Sequence, residues 1–147
     1  MAISTRTLKD TTLETGSGAQ GGKVTVLVNL NDNTSDGDTN TADKVLDASD
    51  LSGHANGAKL DITRIWWGLV QGTADDNTGW ATLEFVGAST DVAAINLVGT
   101  GHYDGTAGKI TNNATNTGAT SGDLQLACYG VSGFVMIELR KDNSFTA

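Results

Sequence analysis

From Asp61 to Lys141 the chain is a succession of short apolar runs divided mainly by Gly, Thr, Asn and Asp. The runs are Asp61-Ile62-Thr63-Arg64-Ile65-Trp66-Trp67, Trp80 to Val86, Ile95 to Val98 leading into Gly101-His102-Tyr103, Leu124 to Cys128, and Phe134 to Lys141. Each has strand length, and no longer window carries an apolar stripe at the helical period. Turn formers recur every 8–15 residues or so, roughly the spacing of a sandwich or barrel. With 19 Gly, no Pro, and Thr, Asn, Asp and Ser filling most polar positions, the composition favours an all-β fold. The expected fold is an antiparallel β-sandwich or jelly roll. A chain of 147 residues suits one domain and buries roughly two-thirds of its unfolded surface without staples.

Residues 1–22 read as a flexible N-terminal arm and linker, and residues 23–147 as a single β-sandwich domain. Met1 to Asp10 carries only Ile3 and Leu8 as large apolar side chains beyond Met1, and Gly16 to Gly22 has linker composition. Such a segment is either a frayed terminus or a tether that orders against a neighbouring subunit. Lys23 to Leu30 is the first clear strand, with Val24, Val26 and Val28 on one face. Ala42 to Ala48 fits a short strand or one helical turn, and Asp47 to Lys59 reads as a loop. Further strands are expected at 60–69, 80–86, 92–98, 101–103, 122–128 and 134–141. In the last, Val135, Ile137 and Leu139 share a face, opposite Met136, Glu138 and Arg140. Lys109 to Ser121 is a Gly/Asn/Thr loop long enough to be functional or mobile.

The net charge is −8 and the nine basic residues are scattered along the sequence without a stripe. No nucleic-acid footprint is therefore expected, and the acidity reads as a solubility device. Cys128 stands alone in an apolar run, which implies a buried small hydrophobe. Neither a secretory leader nor a membrane-spanning segment is expected.

Candidates for chemistry are sparse. Asp32, Thr34, Asp36, Gly37 and Asp43 fall at calcium-loop positions, but the closing residue is Asp where the pattern has Glu, and a strand precedes it. A solvated loop is the better reading. The chain has only two histidines, His54 and His102, and one cysteine, too few at ligand spacing for zinc. No Ser lies in a nucleophile elbow, and Gly99-Thr100-Gly101 lacks the spacing of a phosphate cradle. Glu14, Glu84 and Glu138 are the only glutamates, the last two on strands opposite an apolar face. No enzyme activity, metal or cofactor is expected. Trp66 and Trp67 are adjacent, so on a strand one ring fills the core and the other lies on the second face. Trp80 begins the next strand, at a sandwich end. A tryptophan outside the core serves a protein interface or stacks on a sugar.

The order of these segments, from Asp61-Ile62-Thr63-Arg64-Ile65-Trp66-Trp67 through Gly99-Thr100-Gly101-His102-Tyr103-Asp104 and Ser121-Gly122-Asp123-Leu124-Gln125-Leu126 to the last strand, resembles small virion structural proteins of tailed bacteriophages. The resemblance covers about residues 58–141. The N-terminal third, the double Trp and the Asn112–Ser121 loop stand outside the pattern. It implies a capsid decoration, or cement, protein on the virion surface. Such a protein assembles in the host cytoplasm, binds the major capsid protein, and carries no catalytic residues. On that reading a homotrimer or homodimer is expected, with no nucleic-acid or membrane partner. The expected contact residues are Ile3, Arg6, Leu8 and Lys9 of the arm, with Trp66 and Trp67. A carbohydrate-binding adhesion module and a neck, tail or fibre subunit are the alternatives.

Overall fold

The computed structural model describes residues 2–11, 22–31, 42–71 and 80–145. Among these, the chain forms nine strands: β1 Ala2–Asp10, β2 Lys23–Asn31, β3 Ala42–Leu46, β4 Leu60–Gln71, β5 Trp80–Phe85, β6 Val92–Leu97, β7 Thr100–Tyr103, β8 Leu124–Tyr129 and β9 Val131–Lys141. The ambiguous segment near residue 45 is both things in turn. Strand β3 ends at Leu46, and a single 3-10 turn, Ala48–Asp50, follows. Asp47 starts that turn by accepting bonds from Ser49 N at 3.1 Å and Ser49 Oγ at 2.6 Å.

Two antiparallel sheets pack face to face, one in the order β1-β2-β9-β4-β7 and the other β3-β8-β5-β6. The pairs β2–β9, β3–β8, β4–β7 and β5–β6 are nested, as in one long hairpin rolled over on itself. That nesting divides eight strands between two sheets in jelly-roll order. Within the sandwich the expected faces hold. Val24, Val26 and Val28 are at most 1% exposed and oppose Leu139, Ile137 and Val135, each fully buried. Leu83, Phe85, Leu124 and Leu126 close the core from the second sheet. Each such side chain contributes about 1.5–3 kcal/mol by leaving water.

The N-terminal segment differs from the expected arm. Ala2–Asp10 pairs with β2 over its whole length and forms a ninth strand at the sheet edge, interrupted by a bulge between Thr7 and Lys9. Its last residue is anchored from within. Asp10 takes the Lys141 ammonium at 2.5 Å and the Ser52 amide at 2.8 Å, and Lys141 also donates to Ser52 O at 2.8 Å. Lys141 is 1% exposed and stands over the Phe145 ring, 5.2 Å from its centroid. Residues 16–21 of the expected linker and nearly all of the calcium-like loop lie outside the described residues.

Residues 109–121 form a strap across one end of the sandwich. Ile110 bridges Ile62 through two backbone bonds, and Ala88 N donates to Thr115 O. Asn112, Ala114 and Asn116 alternate inward and are buried. The two asparagines replace ladder bonds: Asn112 Oδ1 accepts from Ala114 N, and Asn116 Nδ2 donates to Val86 O and Thr120 Oγ1. This explains why an Asn/Thr-rich stretch is needed here. Short amide side chains satisfy backbone groups that no neighbouring strand reaches.

Candidate docking face

Strand alternation sends every second side chain of the five-stranded sheet away from the core. The register aligns these outward positions in rows. One row runs Arg6, Leu27, Met136, Trp66, His102 from β1 to β7. The next carries Asn29, Phe134 and Gly68, and a third Lys9, Thr25, Glu138 and Arg64. Lys23 and Arg140 sit opposite each other beyond these.

The aromatic centre of this face is built by glycine and stacking. Phe134, 37% exposed, lies over Gly68, where an added Cβ would stand 2.8 Å from the ring. Trp66 is half-buried and stacks on His102, with centroids 5.1 Å apart and planes 11° from parallel. Arg6 at the end of the Trp66 row, and Lys9, Arg64, Lys23 and Arg140 in the two rows to one side of it, are all exposed. Five of the chain's nine basic residues thus share one sheet face, although no run of sequence contains them. The outward carboxylates on these strands are Asp61 and Glu138, and both are engaged. Asp61 accepts from Lys109 Nζ at 2.8 Å and Asn112 N at 2.9 Å. Glu138 accepts from Thr63 Oγ1 at 3.0 Å and faces Arg64 Nε at 4.0 Å. Asp104, just beyond β7, is turned to its own loop. The Thr106 hydroxyl and amide hold its carboxyl below the usual range.

The two tryptophans divide as a strand requires. Trp67 faces inward, packs against the core, and donates from Nε1 to Val98 O at 3.0 Å. Its ring covers Gly101 on β7, so a side chain there would collide with it. Of the expected contact residues, Arg6, Lys9 and Trp66 lie on the outward face. Leu8, 49% exposed, projects at the bulge. Ile3 and Trp67 instead turn inward and pack on the core, so neither belongs to the outward surface.

Met136 and Arg140, expected opposite the apolar side of the last strand, lie on this face, and Phe134, His102 and Arg64, not expected there, complete it. The signal for them was present in part. An aromatic and a methionine at positions opposite the apolar parity of β9 are unusual on a purely solvated side. The pairing of β9 with β4, which joins them to Trp66, is a long-range fact that no local pattern contains.

Elsewhere the polar groups are structural. His54 Nε2 lies 3.0 Å from Ser121 O, and its ring meets Phe145 edge-on at 5.6 Å. Cys128 is buried. A cleft of about 280 Å³ opens between β1 and β3, lined by Thr5, Thr7, Asp10, Lys44 and Asp47 among others. Its Asp10, Lys44 and Asp47 are engaged with neighbours. Lys44 Nζ stands 2.9 Å from the buried Asp123 carboxylate, a contact that raises the lysine's pKa, and Asp123 also accepts from Ala48 N at 2.7 Å. Among the described residues no cluster of His, Cys, Asp and Glu is arranged to hold a metal.

Fold and face together define an all-β sandwich with a cationic, aromatic sheet surface. No protein-family model, curated protein or solved structure matches the chain.

Proposed function

We propose that this protein is a non-enzymatic virion structural protein of the capsid-decoration type, which seats the outward face of its five-stranded sheet on the major capsid protein lattice. The observation that carries the reading is the composition of that face. Trp66, Phe134 and Met136, sharing one face with Arg6, Arg64 and Arg140, are the residue types enriched in the buried centres of protein interfaces. Jelly rolls recur in viral capsid and lectin domains, which supports the class by analogy of fold. Docking repeated over a lattice lets contacts of modest strength add up, stabilising the shell against internal pressure.

The test is occupancy. Purified protein is added to emptied capsids built from the major capsid protein of the same genome, and bound copies are counted by quantitative mass spectrometry. The expected result is saturation at a fixed ratio to capsid subunits, lost in the W66A/F134A variant. Absence of binding sinks the proposal. Binding of W66A/F134A at the wild-type ratio removes this face from the contact. Capture on a glycan array, abolished by W66A, assigns the protein to sugar recognition.

A further inference from the structure

We infer that the outward face of the five-stranded sheet takes an acidic surface on a different protein, and not a second copy of this chain. The inference rests on the docking reading above and names the partner's chemistry. Its basis is the contrast between the face and the chain that bears it. The protein carries a net charge of −8, yet Arg6, Lys9, Lys23, Arg64 and Arg140 converge on one surface. The two carboxylates among them are held by internal partners, Asp61 by Lys109 and Asn112, and Glu138 by Thr63 and Arg64. Beyond the Arg64–Glu138 pair, Arg6, Lys9, Lys23 and Arg140 therefore confront a partner with little negative charge to offset them.

Face-to-face pairing of two copies would set this surface against its own image. In such a two-fold contact the same patch is used twice. The cations of both copies, Arg6, Lys9, Lys23 and Arg140 among them, would then be gathered into one contact. Like charges juxtaposed in an interface are a strong bar to association. A partner bearing Asp and Glu around an apolar knob meets none of that repulsion. The knob would fit over Phe134, Met136 and Trp66, and the carboxylates would reach the Arg and Lys beside them on the same face. Homo-oligomer contacts, where they form, must use another surface.

The carboxylate chemistry is tested with soluble probes and the full chain. Binding of poly-L-glutamate is followed by tryptophan fluorescence and calorimetry at about 50 mM and about 500 mM salt, where screening differs strongly. A dT oligonucleotide is run in parallel. The variants are R6Q/R64Q/R140Q, which keeps the aromatic centre, and K44Q, which removes a cation from the β1–β3 side. The expected result is saturable binding of polyglutamate at low salt, weakened at least about tenfold by high salt and similarly by the triple variant, while K44Q binds as wild type. Polyglutamate binding that is absent at low salt, or equal in the triple variant, overturns the inference. Tighter, stacking-dependent binding of dT, lost in W66A, overturns it in favour of single-stranded nucleic acid. Sedimentation of the wild-type chain completes the test. A dimer that R6Q/R64Q/R140Q strengthens places a second copy on this face and also overturns it. None of these outcomes depends on capsid occupancy, so the two readings fail separately.

Discussion

Trp66 on β4 and His102 on β7 occupy directly opposed positions, and their rings lie stacked 5.1 Å apart on the outer side of the sheet. One residue later on β4 and one earlier on β7 the relationship inverts: Trp67 folds over Gly101 on the inner side. The doubled tryptophan is thus a pair of devices, one facing the core and one facing outward. The same two strands position both.

That division sets the first prediction. Trp67→Ala removes a ring packed on the core and a bond to Val98 O, and should cost about 2–4 kcal/mol. Trp66→Ala removes a half-exposed stacked ring and should cost about 1–2 kcal/mol. Urea unfolding of the two variants, with circular dichroism as the probe, checks the order. Equal losses, or a larger loss for Trp66→Ala, would contradict the assignment of faces.

Gly101→Ala tests the same geometry from the other strand. A Cβ at this position meets the Trp67 ring, so the indole must shift and its bond to Val98 O is strained. Overpacking of this kind costs about 1–3 kcal/mol. The double variant G101A/W67F, with a smaller ring, should regain part of the loss. If G101A unfolds at the wild-type urea midpoint, the close packing is wrong.

The buried Lys141 fastens the edge strand through Asp10, and Asp10→Asn removes that carboxylate from the pair. Loss of one partner of a buried pair costs several kcal/mol, and because Asp10 is 24% exposed the expected cost is about 2–3 kcal/mol. Lys141→Met in the same chain should recover much of it, since Met suits the apolar surroundings of Phe145. In hydrogen exchange, β1 amides of D10N should lose protection before those of β2 and β9. Uniform loss across the sheet would show that β1 does not open by itself.

The division of this fold into strands was legible because alternation is local. Val24-Thr25-Val26-Leu27-Val28 and Val135-Met136-Ile137-Glu138-Leu139 declare their buried faces without reference to any neighbour. The N-terminal strand was not legible, because Ser4, Thr5, Arg6 and Thr7 are exposed and carry no apolar period. Its order comes from the β2 edge and from Lys141, more than 130 residues away in sequence. The docking face was half legible. Trp66 stood out by composition, but the gathering of Arg6, Lys23, Arg64 and Arg140 depends on which strands are neighbours. A chain read one residue at a time shows scattered cations, whereas the sheet order makes them one surface.

The turn at Ala48–Asp50 carries the last prediction, a stability profile with an acid limb and an alkaline limb. The Ser49 hydroxyl, followed by the Ser49 amide and the nearby Lys44, lowers the Asp47 pKa below 3.8. A lowered folded value means that its contribution is present above the unfolded pKa and is lost as pH falls through the folded one. Lys44 behaves in the opposite sense. Its bond to Asp123 raises its pKa above 10.5, so its contribution is complete below that value and is lost as pH rises through the folded one. Both side chains are more than a third exposed, which limits each contribution to under about 1 kcal/mol. Urea midpoints across the pH range should therefore show Ser49→Ala below wild type at neutral pH, the gap closing under pH 3.8. Lys44→Met should likewise fall below wild type at neutral pH, its gap closing only above pH 10.5. A Ser49→Ala gap that widens toward acid would reverse the sign and refute the pairing that starts the turn.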